Sequence, residues 1–189
     1  AVMMILAGCK FWHFLATGGA VGIPGMIGLI ILEPYRLARV TTFLDPWKDA
    51  TGAGWQVIQS LYAIGSGGLF GAGLGESKQK YLYIPEPHND FIFSVLAEEL
   101  GFVGCVLVIV LFAIFIWRGV LIAMKSPDMF GSLIAIGITT MVAIQVILNI
   151  AVVTSSVPAT GMPLPFFSYG GTALFILLCE MGVLLNISR

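Results

Sequence analysis

Apolar and polar residues fall in long blocks along this 189-residue chain. They do not follow the short periods of a soluble amphipathic helix or a half-buried strand. The first block, Ala1 to Cys9, is too short to cross a bilayer, which needs about 20 residues. The chain opens inside this block with no signal peptide. Residues 1–12 are therefore expected to be the end of a cut helix, and the chain a C-terminal fragment. Phe14 to Leu32 is uncharged and about one span long, which predicts a transmembrane helix over 14–32. Residues 33–90 are polar. An apolar run resumes at Phe91, with Glu98 and Glu99 near its start, and predicts a helix over 91–124. Met129 to Cys179 carries no charge and is too long for one span, so it must be broken. The break is the Pro-, Gly- and Thr-rich stretch Val153-Thr-Ser-Ser-Val-Pro-Ala-Thr-Gly-Met-Pro-Leu-Pro165. Helices are expected at 130–153 and 172–187, with a re-entrant or surface-lying loop over 154–171. There is no internal repeat.

Composition makes the blocks those of a membrane protein. Hydrophobic residues are 58% and charged residues 10%, against about 25% charge in ordinary globular chains. Mean hydropathy is +0.99. The expected fold class is all-α: a polytopic transmembrane helical bundle with one large loop outside the membrane, forming a single partial membrane domain. A formal net charge of −1 suggests no nucleic-acid partner. Cys9, Cys105 and Cys179 lie in apolar runs and read as small hydrophobes, not as a disulfide frame or a metal site.

Charge also gives an orientation. Lys10, Arg118, Lys125 and Arg189 fall on one side if the spans alternate, and the positive-inside rule makes that side cytoplasmic. Segment 33–90, with eleven of the nineteen charged residues, then faces outward together with 154–171.

The outward segment has substructure. Arg36-Leu-Ala-Arg39 sets two guanidinium groups one helical turn apart. Phe43-Leu-Asp-Pro-Trp47 reads as a turn with an aromatic anchor. Gly54 to Ser60 reads as a short amphipathic helix with Gln56 and Gln59 on one side. Gly65 to Gly75 is a flexible glycine-rich loop followed by Lys78 and Lys80. Glycines let a backbone approach a phosphate, and nearby cations neutralise it. The loop lacks the lysine–hydroxyl ending of a P-loop. A surface loop with snorkelling lysines is the plainer reading.

The run Tyr83-Ile-Pro-Glu-Pro-His-Asn-Asp90-Phe-Ile-Phe carries the sharpest candidate. Asp90 stands at the head of a long apolar helix, at the water–lipid boundary. It reads equally as a helix N-cap and as a carboxylate facing a cleft. Asp90, Ser94 and Glu98 share a helical face at i, i+4 and i+8, a stripe that would line a polar cavity. Gln145 and Asn149 are also i, i+4, with an interhelical hydrogen bond as the expected role. Glu180 is a lone carboxylate in the last helix, readable as a cavity group or as a partner for a residue outside this chain and given no functional role, and His13 is an interfacial residue.

These runs resemble the SEDS family (shape, elongation, division and sporulation proteins). The matching stretches are Arg39-Val-Thr-Thr-Phe-Leu-Asp-Pro-Trp47, Gly54 to Leu61, Gly65 to Lys80, Pro85-Glu-Pro-His-Asn-Asp-Phe-Ile-Phe93, Ala97-Glu-Glu-Leu-Gly101 and Pro163-Leu-Pro-Phe-Phe-Ser-Tyr-Gly-Gly171. They cover nearly the whole chain in the family's order, and their wording is nearer the FtsW and SpoVE branch than RodA. The resemblance implies a fold of ten transmembrane helices, of which this chain holds the end of the sixth and all of the last four. It implies a bacterial cytoplasmic-membrane enzyme that polymerises lipid II into glycan strands beside a class B penicillin-binding transpeptidase. The family's essential aspartate maps onto Asp90. There are two departures: Asn89 stands where the family usually has Thr, and Thr160 where some FtsW members have Lys.

The residue chemistry suits that reaction. Glycosyl transfer from a lipid pyrophosphate needs a base for the acceptor hydroxyl, and an aspartate is ionised at neutral pH. Pyrophosphate leaves without a second carboxylic acid to protonate it, unlike the leaving group of glycoside hydrolysis. It needs positive charge instead, from Arg36, Arg39, Lys78 and Lys80. The wider substrate-contacting set is Gln56, Gln59, Glu86, His88, Glu98, Ser168 and Tyr169. A divalent cation such as Mg²⁺ is a possible cofactor beside Glu86 and His88, although no ligand set of recognisable spacing is present. Displacement at the donor sugar carbon predicts inversion. Two other readings stand: a flippase or transporter of lipid-linked precursors, and an inactive scaffold fragment.

Overall fold

The computed structural model describes residues 2–25, 28, 42–52, 54–77 and 90–189. Among these there is no strand. The helices are α1 (Val2–Leu6), α2 (Phe11–Thr17), α3 (Trp55–Ser66), α4 (Ile92–Lys125), α5 (Met129–Val153) and α6 (Gly171–Ile187). The expected ends of the last three lie within a residue of the observed ones. α2 passes into a π-helical turn, Gly18–Gly22, where three glycines loosen the ladder. The rest of the predicted 14–32 span lies largely outside the described residues. Asp45-Pro-Trp47 opens a short 3₁₀ turn, Pro46–Asp49. The Trp47 ring meets Tyr62 of α3 edge-on at 6.0 Å. α3 continues to Ser66, six residues beyond the predicted stretch.

α4 and α5 form an antiparallel hairpin. Both are long and apolar enough to cross a membrane. α4 leaves Phe102, Leu107, Leu111 and Trp117 exposed, and a helix that is apolar all round belongs in lipid. The hairpin turns over Ser126, Pro127 and Asp128. The Asp128 carboxylate caps α5 by accepting the Gly131 N–H at 2.8 Å, which satisfies an orphan donor of the first turn. Lipid tails are as apolar as leucine, so helix association here depends on close packing. Gly119 supplies it: a β-carbon there would run into the Thr139 side chain. Phe112, Val142, Val146, Val153, Leu164 and Leu177 fill one core, and Ala123, Ala135 and Leu184 a second toward the hairpin turn.

α4 is not continuous. At Gly101 the backbone has φ 67° and ψ −168°, and the helix breaks. The amides of Phe102 and Val103 would pair with the carbonyls of Glu98 and Glu99 in an unbroken helix. They donate instead to the Gly68 carbonyl at 2.9 Å and the Leu69 carbonyl at 3.2 Å. The released Glu98 and Glu99 carbonyls accept from the amides of Ala72, at 2.9 Å, and Gly73, at 3.1 Å. The glycine-rich loop is thus a backbone clasp in the helix break, and every group the break frees finds a partner. Gly71 and Gly101 face one another, both at positive φ. A β-carbon on Gly101 would meet the Gly71 amide. The loop expected to be flexible is spent on packing.

The 154–170 connection descends into the bundle. Gly119 lies opposite Thr139, so Phe115 lies near the level of Ala143, about 15 Å below the end of α5 at 1.5 Å per residue. The Phe166 ring packs edge-on against Phe115 at 6.2 Å, and Phe167 lies 6.1 Å from Phe112. Of the two expected forms, re-entrant and surface-lying, the loop takes the re-entrant one. Leu164 at its tip is 1% exposed.

Candidate active site

Asp90 precedes α4, whose N-cap is Phe91, and no side chain caps that helix. Instead Ser94 Oγ donates to the Phe91 carbonyl at 2.7 Å. Phe91 therefore takes the N-cap position that the sequence equally offered to Asp90. The half-buried Asp90, just before α4, lines a cavity of about 420 Å³ between α5, the re-entrant loop and α6. Gln145, Gly161, Ser168, Tyr169 and Glu180 share its wall.

The re-entrant loop shapes that cavity. Ser168 Oγ accepts the Leu164 N–H at 2.7 Å, and the Ser168 amide donates back to the Leu164 carbonyl at 3.0 Å. This closes a tight turn, with Phe166 at φ 66°. Strain of that kind in a non-glycine residue costs of order 1–3 kcal/mol and persists only where the surroundings hold it. Here the rings of Phe112 and Phe115 do so. Tyr169 is 82% exposed and also borders a second hollow, of about 640 Å³, on the α4 side of the loop.

The expected stripe does not form one wall. Ser94 is fully buried. Glu98 is 4% exposed and accepts a hydrogen bond from Ser77 Oγ at the end of the glycine-rich clasp. Neither reaches the Asp90 cavity. The physical reason is the turn at Asp90 and Phe91: the helix starts only at Ile92, so Asp90 stands off the helical face that Ser94 and Glu98 share. Gln59 is buried and Gln56 half-buried on α3, away from the cavity. Arg36, Arg39, Lys78, Lys80, Glu86 and His88 lie outside the described residues. No described cation lines the cavity.

Two polar residues noted in the sequence take definite places here, though their partners were not foreseen. Asn149 donates to backbone carbonyls and not to another helix's side chain, reaching Asp90 at 2.9 Å and Met162 at 2.8 Å. Glu180, set aside as a lone carboxylate, turns toward the cavity, with Oε2 buried and lacking a hydrogen-bond partner among the described residues.

A family model described as cell cycle protein, covering FtsW, RodA and SpoVE, matches residues 1–189. The chain belongs to the FtsW/RodA/SpoVE family. This family is membrane-integral, in keeping with the two helices long and apolar enough to cross a membrane. The chain is 53% identical over 188 residues to stage V sporulation protein E of Bacillus subtilis (strain 168), covering 100% of this chain and 51% of that protein. It is 48% identical over 187 residues to a probable peptidoglycan glycosyltransferase FtsW of Geobacter sp. (strain M18), covering 99% of this chain and 51% of that one. Among solved structures it matches a peptidoglycan synthase complex at TM-score 0.76 and 33% identity, over 100% of this chain and 52% of the other. It also matches the rod shape determining protein RodA of Thermus thermophilus at TM-score 0.54 and 30% identity, over 100% and 61%. The chain spans about half the length of the FtsW and SpoVE relatives named here.

Proposed function

We propose that the full-length protein containing this chain is a peptidoglycan glycosyltransferase. It polymerises lipid II into glycan strands at the outer face of the bacterial cytoplasmic membrane, in division or sporulation. The observation that carries the proposal is the Asp90 carboxylate on the wall of a cavity formed with the re-entrant loop. Relatives named as probable peptidoglycan glycosyltransferases give the reaction class.

In this reading Asp90 takes the proton from the acceptor sugar hydroxyl. The oxygen bonds to the anomeric carbon of the donor as the carbon–oxygen bond to pyrophosphate breaks. The polyprenyl pyrophosphate leaves with the bonding electrons, and the α-linked donor becomes a β-linked strand. Arg36, Arg39, Lys78 and Lys80 are the proposed partners of the pyrophosphate charge. Ser168 and Tyr169 are proposed to meet substrate at the loop, with Glu86 and His88 in supporting positions, while Gln56, Gln59 and Glu98 lie away from the cavity. The described residues hold no group of three or more His, Cys, Asp or Glu side chains able to bind a metal ion. Glu86 and His88, the candidate ligands of a divalent cation, lie outside the described residues, and no step here uses one. The match to a peptidoglycan synthase complex supports a class B penicillin-binding transpeptidase as partner.

The broken α4 and the unpartnered Glu180 favour a second reading, transport of a lipid-linked precursor. One reconstitution separates the two. Full-length protein in liposomes with fluorescent lipid II, supplied with its transpeptidase partner, should build strands cleaved by a β-specific muramidase. Lipid II crossing the bilayer with no polymer formed would overturn the polymerase reading.

A further inference from the structure

Asn149 lies in the eighth decile of the chain, on the rigid helix α5, far in sequence from Asp90. Its side chain is 1% exposed. Nδ2 donates to the Asp90 carbonyl at 2.9 Å and to the Met162 carbonyl at 2.8 Å. Both amide protons are therefore committed. The opposite rotamer of the amide would set Oδ1 against two carbonyl oxygens, so the orientation is forced. Asp90 precedes the N-cap of α4, where intrahelical hydrogen bonds no longer hold the chain. Gly161 of the loop lies close to the same residue. A β-carbon built on Gly161 would lie 3.4 Å from Asp90 Oδ2, so the loop backbone borders the carboxylate itself. The loop and Asp90 are thus joined through Asn149 of α5 at their main chains, and the loop backbone at Gly161 passes beside the Asp90 carboxylate.

We infer that Asn149 is a positioning residue for glycosyl transfer. It fixes the main chain of Asp90 and the descending limb of the re-entrant loop to one point on α5, which sets where the carboxylate stands in the cavity. It touches no substrate. The inference rests on the reading of Asp90 as the base. Its physical basis is the steep dependence of catalysis on geometry, where a displacement of about 1 Å costs on the order of a hundredfold in rate.

The test uses the full-length protein, lipid II and two variants. Asn149→Leu removes both donors at similar volume. Because it leaves two buried carbonyls unpaired, Asn149→Gln is measured beside it, keeping the amide on a longer stem. The leucine variant is expected to lose about a hundredfold in kcat with KM for lipid II within about twofold, and the glutamine variant to recover roughly tenfold of that loss. Parental kcat in both variants, equal losses in both, or failure of both to fold would each overturn the inference. Asp90→Asn runs in parallel. If it is inactive while both Asn149 variants turn over normally, only the positioning role falls. If it turns over at the parental rate, the base reading itself falls.

Discussion

Two irregular segments enter this helical bundle, and they are satisfied in different ways. The glycine-rich clasp at Gly101 is closed by backbone pairing. Two amides and two carbonyls released by the helix break all find partners in the loop. The re-entrant loop is held by side chains, with Asn149 and Ser168 bonding its main chain. Beside it, Asn149 Oδ1 on α5 and Glu180 Oε2 on α6 are buried with no hydrogen-bond partner among the described residues, and only Glu99 Oε1 is so left at the clasp. A segment whose polar groups are consumed internally is a structural joint. A segment that borders a cavity with a carboxylate and spare polar atoms is a place for chemistry.

That contrast yields predictions of different kinds. Gly101→Ala should have the largest effect on stability. It places a β-carbon against the Gly71 amide at positive φ and should cost about 2 kcal/mol or more. Thermal unfolding of the full-length protein in detergent would read this, with activity per folded molecule near the parental value. A selective loss of turnover with normal stability would blur the line between the two segments. Ser168→Ala should do the reverse on a smaller scale. Losing the hydroxyl that accepts the Leu164 amide should cost about 1 kcal/mol and lower kcat several-fold. A Ser168→Ala protein with unchanged kcat and a large fall in unfolding temperature would make the re-entrant turn a joint like the clasp.

The two segments also differ in how far their sequence foretold them. The spans of α4, α5 and α6 were legible because apolar runs of those lengths have little alternative in a membrane. The interruption between α5 and α6 was legible from its prolines and glycines, and Asp90 from its place at the head of an apolar run. The break at Gly101 was not, because one glycine in an apolar helical pattern is ordinarily tolerated. Nor was the clasp, whose bonds are all main chain and leave no side-chain pattern. Asn149 was visible as a polar residue in a span, but its partners are two carbonyls, and any residue type offers a carbonyl. The stripe Asp90, Ser94 and Glu98 was read as one surface by assuming a continuous helix through Asp90. The turn at Asp90 and Phe91 defeats that assumption, because the helix starts at Ile92.

The central claim is that Asp90 performs chemistry where the re-entrant loop meets α4. Its most direct test is Asp90→Asn in the full-length protein, with lipid II binding and strand formation measured on the same preparation. The account predicts a folded membrane protein that binds lipid II about as well as the parent and forms strands slower by about 10²–10⁴-fold, the usual contribution of a general base. Strand formation at the parental rate would contradict it.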